Sequence, residues 1–144
     1  MAEKVNYVFA DTFYWLAISS PTDQWRAAVL GVVATLENLS IVTTEEVLTE
    51  FLAGMAGRGE YQRALAIRMV RSILADDTVT VLPQTHETFL DGLDLYERRI
   101  DKHYSLTDCI SMNACRQQAI TAVLTNDHHF AQEGFTVLIT QSSS

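Results

Sequence analysis

Short runs of β-forming residues alternate with longer helical runs along this chain, and that alternation limits the fold more than any other feature. Val5–Ala10 (VNYVFA) reads as a first strand, Ile41-Val42 as a very short second and Val79–Leu82 (VTVL), stopped by Pro83, as a third. Ala122–Leu124 and Phe135–Ile139 read as the fourth and fifth. Between them lie an apolar helix-like stretch, TFYWLAI from Thr12, and a helix that Ser20-Pro21-Thr22-Asp23 is expected to open as N-cap, N1 and N3, running to about Leu39. Thr43 and Glu46 form an expected capping box for a helix to about Met55, broken by Gly54 and Gly57. Further helices are expected over Glu60–Leu74, over about His86–Asp101 with Phe89, Leu93, Tyr96 and Ile100 at helical spacing, and over Leu106–Gln118 behind Ser105. A helical turn from Asp127 to Gln132 ends at Gly134. Strands separated by helices imply a parallel sheet with right-handed crossovers and helices on both faces. The fold class is therefore α/β, three layers, with a short, mostly parallel five-stranded sheet. Sites in such sheets lie beyond the carboxyl ends of the strands.

The 144 residues show no internal repeat and no linker, which predicts a single domain over residues 1–140 and a polar tail over 141–144. No apolar stretch reaches the length of about 20 residues that a membrane span needs, and MAEKVNYVFAD does not read as a signal peptide. Cys109 and Cys115 stand six apart on one expected helix, face different directions and cannot bridge there. Reduced thiols in a cytoplasmic protein are expected. The formal net charge is −8, which argues against nucleic-acid binding through bulk charge. It leaves open a local basic groove, or a cluster of carboxylates built to hold cations. Basic residues do gather in two places, Arg58, Arg63, Arg68 and Arg71 in one and Arg98, Arg99, Lys102 and His103 in the other. Either suits RNA phosphates, or is a solvated face with i, i+4 pairing.

Four acids stand out by position. Asp11 follows the first strand, Asp127 follows the fourth, Asp108 opens the helix from Leu106, and Glu50 lies one turn after Glu46. Converging in one pocket, they suit a hard divalent cation, which takes carboxylate oxygens and tolerates bound water. Beside a phosphodiester such a cation polarises the phosphoryl oxygen and lowers the pKa of water. Without it the acids repel one another and some take up protons. Taken singly, each has a bland reading: helix capping for Asp11 and Asp108, turn chemistry for Asp127, a solvated helix acid for Glu50.

Four segments together resemble the PIN domain family, in particular the VapC-type toxin ribonucleases of VapBC toxin–antitoxin pairs. They are Val8-Phe9-Ala10-Asp11-Thr12; the stretch from Thr43 to Leu52 containing Glu50; the stretch from Asp101 to Ser111 containing Asp108, the most distinctive; and Leu124-Thr125-Asn126-Asp127-His128-His129-Phe130 followed by Gly134-Phe135. The resemblance implies an endoribonuclease that hydrolyses RNA with a carboxylate-held Mg²⁺ or Mn²⁺. It implies Asp11, Glu50 and Asp108 as metal ligands and catalytic residues, Asp127 completing the site, and Thr12 touching the scissile phosphate or a ligand. It further implies a homodimer and a small antitoxin whose tail occludes the site, with the helices Asp23–Leu39 and Glu60–Leu74 as candidate surfaces.

Other classes stay in view. One is a catalytically silent PIN-fold module that binds RNA or protein, expected to lack one of the four acids. An aspartate-dependent phosphatase needs a second Asp two residues after Asp11, where Phe13 stands. Asp127-His128-His129 resembles the DHH phosphoesterases, but their further motifs are missing, so neither histidine is assigned a metal. Cys109 near a helix start is a nucleophile candidate with no histidine placed by motif to serve it.

Overall fold

The computed structural model describes residues 6–140. Its central strand, β1 (Asn6–Ala10), is followed directly by α1 (Thr12–Ser19) and then α2 (Arg26–Ala34). Next come β2 (Leu39–Thr44), α3 (Glu45–Met55), α4 (Glu60–Ala75) and β3 (Val79–Leu82). The chain closes with α5 (His86–Arg98), α6 (Leu106–Gln117), β4 (Ala122–Leu124), α7 (His128–Gln132) and β5 (Thr136–Val137). The five strands pair in the order β3-β2-β1-β4-β5, and every pairing is parallel. With helices in the crossovers this is the expected three-layer α/β/α arrangement.

The register fixes what matters for a site. Val8 and Phe9 lie opposite Ile41 and Val42 on one side, while Phe9 and Ala10 lie opposite Val123 and Leu124 on the other. From β1 the chain steps outward to β2 and β3, then returns to lay β4 and β5 on the far side. The direction reverses between β1 and β4, and a crevice opens at such a switch, just past the strand ends. The residues that follow these strands are Asp11 and Thr125.

Phe9, Val123 and Leu124 are fully buried, as are Phe51 on α3, Met112 on α6 and Phe130 on α7. Truncating a core aromatic such as Phe51 to Ala costs about 3–5 kcal/mol. The sheet is tied to α1 by a polar relay: the Trp15 indole N–H donates to Thr43 Oγ1, which donates to the carbonyl of Ala10. No helix among the described residues is long and apolar enough to cross a membrane.

Several local expectations fail for identifiable reasons. The segment Ser20–Asp23 is a turn, and α2 begins only at Arg26. Asp23 spends its carboxylate on the backbone N–H of Trp25 (2.7 Å), so the cap-like residues close a turn before the helix starts. That helix also stops at Ala34, because Leu39 already belongs to β2, which is longer than Ile41-Val42. The N-cap of α3 is Thr44, which accepts from Val47 N–H; Glu46 is not its capping partner and instead accepts from the Thr88 hydroxyl. β5 is shorter than Phe135–Ile139, since the Phe135 N–H is spent on Phe130 O at the end of α7. Phe89, Leu93, Tyr96 and Ile100, which stand at the helical spacing expected, are exposed. α5 packs inward through Leu95 and Gly92, where a Cβ would come within 2.5 Å of Ile110 on α6. The start of the first strand at Val5 and the tail 141–144 lie outside the described residues.

Candidate active site

Asp11 sits at the N-cap position of α1, yet its side chain makes no capping bond. Its Oδ2 instead accepts from Thr125 Oγ1 (3.1 Å), and Thr125 Oγ1 in turn accepts from the backbone N–H of Asp127 (3.1 Å). One hydroxyl thus couples the residues that follow β1 and β4. Asp108 does cap: its Oδ2 accepts from Ser105 N–H while Ser105 Oγ accepts from Asp108 N–H, both at 3.0 Å. This bond uses one carboxylate oxygen and fixes the rotamer. Asp127 is the N-cap of α7, with Oδ1 accepting from His129 N–H (2.9 Å).

These devices bring Asp108, Asp127 and His129 together, with one potential ligand atom from each within 4.8 Å of the others. Asp11 and Glu50 are not in that tight trio, but their charges are felt there. Burial pushes the Asp11 carboxyl up to about 7; hydrogen bonds from Thr12 N–H and Thr125 pull it down, while the charges of Asp108 and Glu50 push it further up. Asp108 is also raised, first by burial and then by Asp127 and Glu50, with its bond to Ser105 and the neighbouring His129 opposing. Among the described residues no lysine or arginine is ion-paired with any of the four acids. Thr12 is buried next to Asp11, and its hydroxyl has no hydrogen-bond partner.

The donor set fits a divalent cation. Carboxylate oxygens are gathered where burial raises the cost of ionising them, and among the described residues the only basic side chains paired with them are His128 and His129, charged only when protonated. The Nδ1 of His129 lies among the same carboxylates, buried and without a hydrogen-bond partner. The thiol alternative does not fit: burial pushes Cys109 up to about 11 and Cys115 up to about 12, away from the reactive thiolate, and both are free and buried.

Sequence reasoning passed over three contributors. Thr125 lies inside a recognised segment but carries no acid, and His129, which the sequence reading assigned no metal, lies with Asp108 and Asp127. The third is Glu133, whose side chain is 5% exposed and bonds to Arg99, Arg116 and the Tyr104 hydroxyl. Arg99 is therefore spent inside the protein and is not free for phosphates. Arg58, Arg63, Arg68 and Arg71 form no ion pair among the described residues.

Solved structures with the same architecture include VapC20 of Mycobacterium tuberculosis, described as a Sarcin-Ricin loop cleaving toxin. The two share 21% identity and a TM-score of 0.80, covering 90% of this chain and 96% of that one. FitAB bound to an IR36 DNA fragment matches at 19% identity and TM-score 0.64, over 90% of this chain and 92% of that one. FitAcB from Neisseria gonorrhoeae matches at 18% and 0.65, over 91% and 96%. No curated protein sequence matches the chain significantly. At these identities the structural matches speak for the fold. The family model described as PIN domain matches residues 8–135, nearly the whole described chain, and the protein belongs to the PIN domain family.

Proposed function

We propose that this protein is a metal-dependent endoribonuclease, the toxin of a type II toxin–antitoxin pair. The observation that carries the reading is the convergence at the β1–β4 switch. Asp11 is held by Thr125, whose hydroxyl also takes the backbone N–H of Asp127, and Asp127 lies with Asp108 and His129, without a lysine or arginine counter-charge. A divalent cation bound there supplies Lewis-acid polarisation of a scissile phosphodiester and a lowered pKa for its attacking water. Mg²⁺ or Mn²⁺ suits the oxygen donors.

The chain's own residues divide the remaining work. Ser105 fixes Asp108 in one rotamer, and Thr125 ties the Asp11 carboxylate to the backbone of Asp127, so these donors are set before any ligand arrives. Glu50, on α3, contributes negative potential to the same place. The unpartnered Thr12 hydroxyl is the group we assign to the substrate phosphate. Two exposed apolar regions suit the protein partners we assign: a second copy of the chain and a small antitoxin. One is the outer face of α5, with Phe89, Leu93 and Tyr96, and the other is the cleft between α3 and α4, with Leu52, Ile67 and Leu74. Arg71, one of the arginines without an ion pair among the described residues, lines that cleft. A cytoplasmic site of action completes the reading.

The test is cleavage of a mixed structured RNA pool by the purified protein with Mg²⁺, with Mn²⁺ and with chelator, beside Asp108→Asn. Metal-dependent cuts that the variant loses are expected. A folded, partner-free protein that cuts under neither metal refutes the enzyme and leaves the RNA- or protein-binding module.

A further inference from the structure

His129 is held in place far more tightly than a surface histidine needs to be. Its backbone N–H donates to Asp127. Its ring packs on Tyr104, centroids 5.2 Å apart and tilted by 58°. Tyr104 is itself buried and donates its hydroxyl to Glu133 (3.0 Å), which Arg99 and Arg116 grip from the other side. The imidazole therefore cannot easily turn away from what it faces. It faces two carboxylates: Nδ1 lies 3.3 Å from Asp127 Oδ1 and 3.6 Å from Asp108 Oδ2. It is aligned for a hydrogen bond with neither, and it is shut off from solvent. A buried ring nitrogen without a partner carries a desolvation cost that native structures seldom leave standing. Set between two carboxylates, that nitrogen is served by a proton or, as its deprotonated lone pair, by a metal cation. The neighbouring His128 behaves differently. Its side chain is 76% exposed and touches Asp127 only at 4.0 Å.

Resting on the metal-nuclease reading above, we propose that His129 is a nitrogen ligand to the cation held by Asp108 and Asp127, and that it biases the site toward transition-metal ions over Mg²⁺. The selectivity follows from donor chemistry. Mg²⁺ demands oxygen ligands, keeps its waters and gains little from imidazole. First-row transition ions gain from a nitrogen donor, increasingly from Mn²⁺ to Co²⁺. Carboxylates alone discriminate less between the two classes.

The experiment measures metal binding without RNA. Mn²⁺, Co²⁺ and Mg²⁺ affinities are taken by calorimetry for the parent, His129→Ala, His129→Asn and His128→Ala. Pulsed EPR of the Mn²⁺ form reads ¹⁴N coupling directly. The expected result is nitrogen coupling in the parent and in His128→Ala, absent from both His129 variants. Mn²⁺ and Co²⁺ affinity should fall about tenfold in those variants, while Mg²⁺ affinity stays within about twofold. Thermal melts in chelator report whether each variant is folded, and His129→Asn keeps the test alive should Ala unfold. Mn²⁺ binding without nitrogen coupling, or equal losses for all three ions, overturns the ligand role and leaves the nuclease reading standing. A parent that binds none of the ions overturns both.

Discussion

The short helix α7 has a carboxylate at each end, and the two meet opposite fates. At its C-cap, Glu133 bonds to two arginines and a tyrosine, and these hold its carboxyl down to about 2 in spite of burial. At its N-cap, Asp127 faces Asp108 and the ring of His129, and the nearby Asp11 is pushed up to about 7. One end is a charge matched by the protein itself. The other is a set of carboxylates met by no lysine or arginine among the described residues, with only the ring of His129 between them. The matched end anchors α7 to α6 and to the loop carrying Tyr104; the unmatched end is where the proposed cation would sit. The net charge of −8 conceals this division, because it counts Glu133 and Asp11 alike.

The difference is testable from both ends. The largest effect is expected from Asp108→Asn, which should lower RNA cleavage at least about a hundredfold while the thermal melt keeps its cooperativity; single-turnover assays in Mn²⁺ check this. Asp11→Asn should stabilise the metal-free protein. The folded carboxyl sits at about 7 against 3.8 when unperturbed. Its contribution to stability is therefore complete below about pH 4 and is lost as the pH rises toward 7. The gain from Asn is at most about 4 kcal/mol above pH 7 and smaller at pH 5, read as a higher Tm in chelator that saturating Mn²⁺ erases.

Glu133→Gln should do the reverse. With the folded carboxyl at about 2 and the ordinary value at 4.5, its contribution is present above pH 4.5 and lost as pH falls toward 2. Screening at the half-exposed arginines limits the cost to about 2 kcal/mol at neutral pH, measured by denaturant melts at pH 7 and pH 3. A variant as stable at pH 7 as the parent would mean the matched end is decorative. The smallest effect belongs to Thr125→Val, a loss of about 1 kcal/mol with slower cleavage, both restored by Thr125→Ser.

Much of this architecture was legible in the sequence. VTVL before Pro83 reads as a strand because β-branched residues favour the pleat and proline ends the ladder. Ser105 with Asp108 reads as a helix start, and the structure makes that capping box. The errors arose where one residue type serves two purposes. Ser, Pro, Thr and Asp begin helices and close turns with the same atoms, so Ser20–Asp23 was ambiguous by chemistry. The α5 stripe had the period of a buried face, but Gly92 settled which side packs, and only tertiary contact with Ile110 reveals that. At the site, the acids were visible from their places after strands and at helix starts. Thr125 and His129 were not, because their roles exist only through partners 114 and 21 residues away. Glu133 was hidden in the same way, by partners 34 and 17 residues distant.

That 114-residue gap between Asp11 and the hydroxyl that holds it has a consequence in time. Asp11 leaves the ribosome early, and Thr125 follows on the order of ten seconds later at ordinary synthesis rates. Until then β1 lacks β4, the switch crevice has one wall, and Asp108, Asp127 and His129 have not been brought together. The nascent chain therefore carries its acids without their arrangement. On the nuclease reading proposed above, the chain would stay inert beside the RNA machine that makes it until nearly the whole domain has emerged.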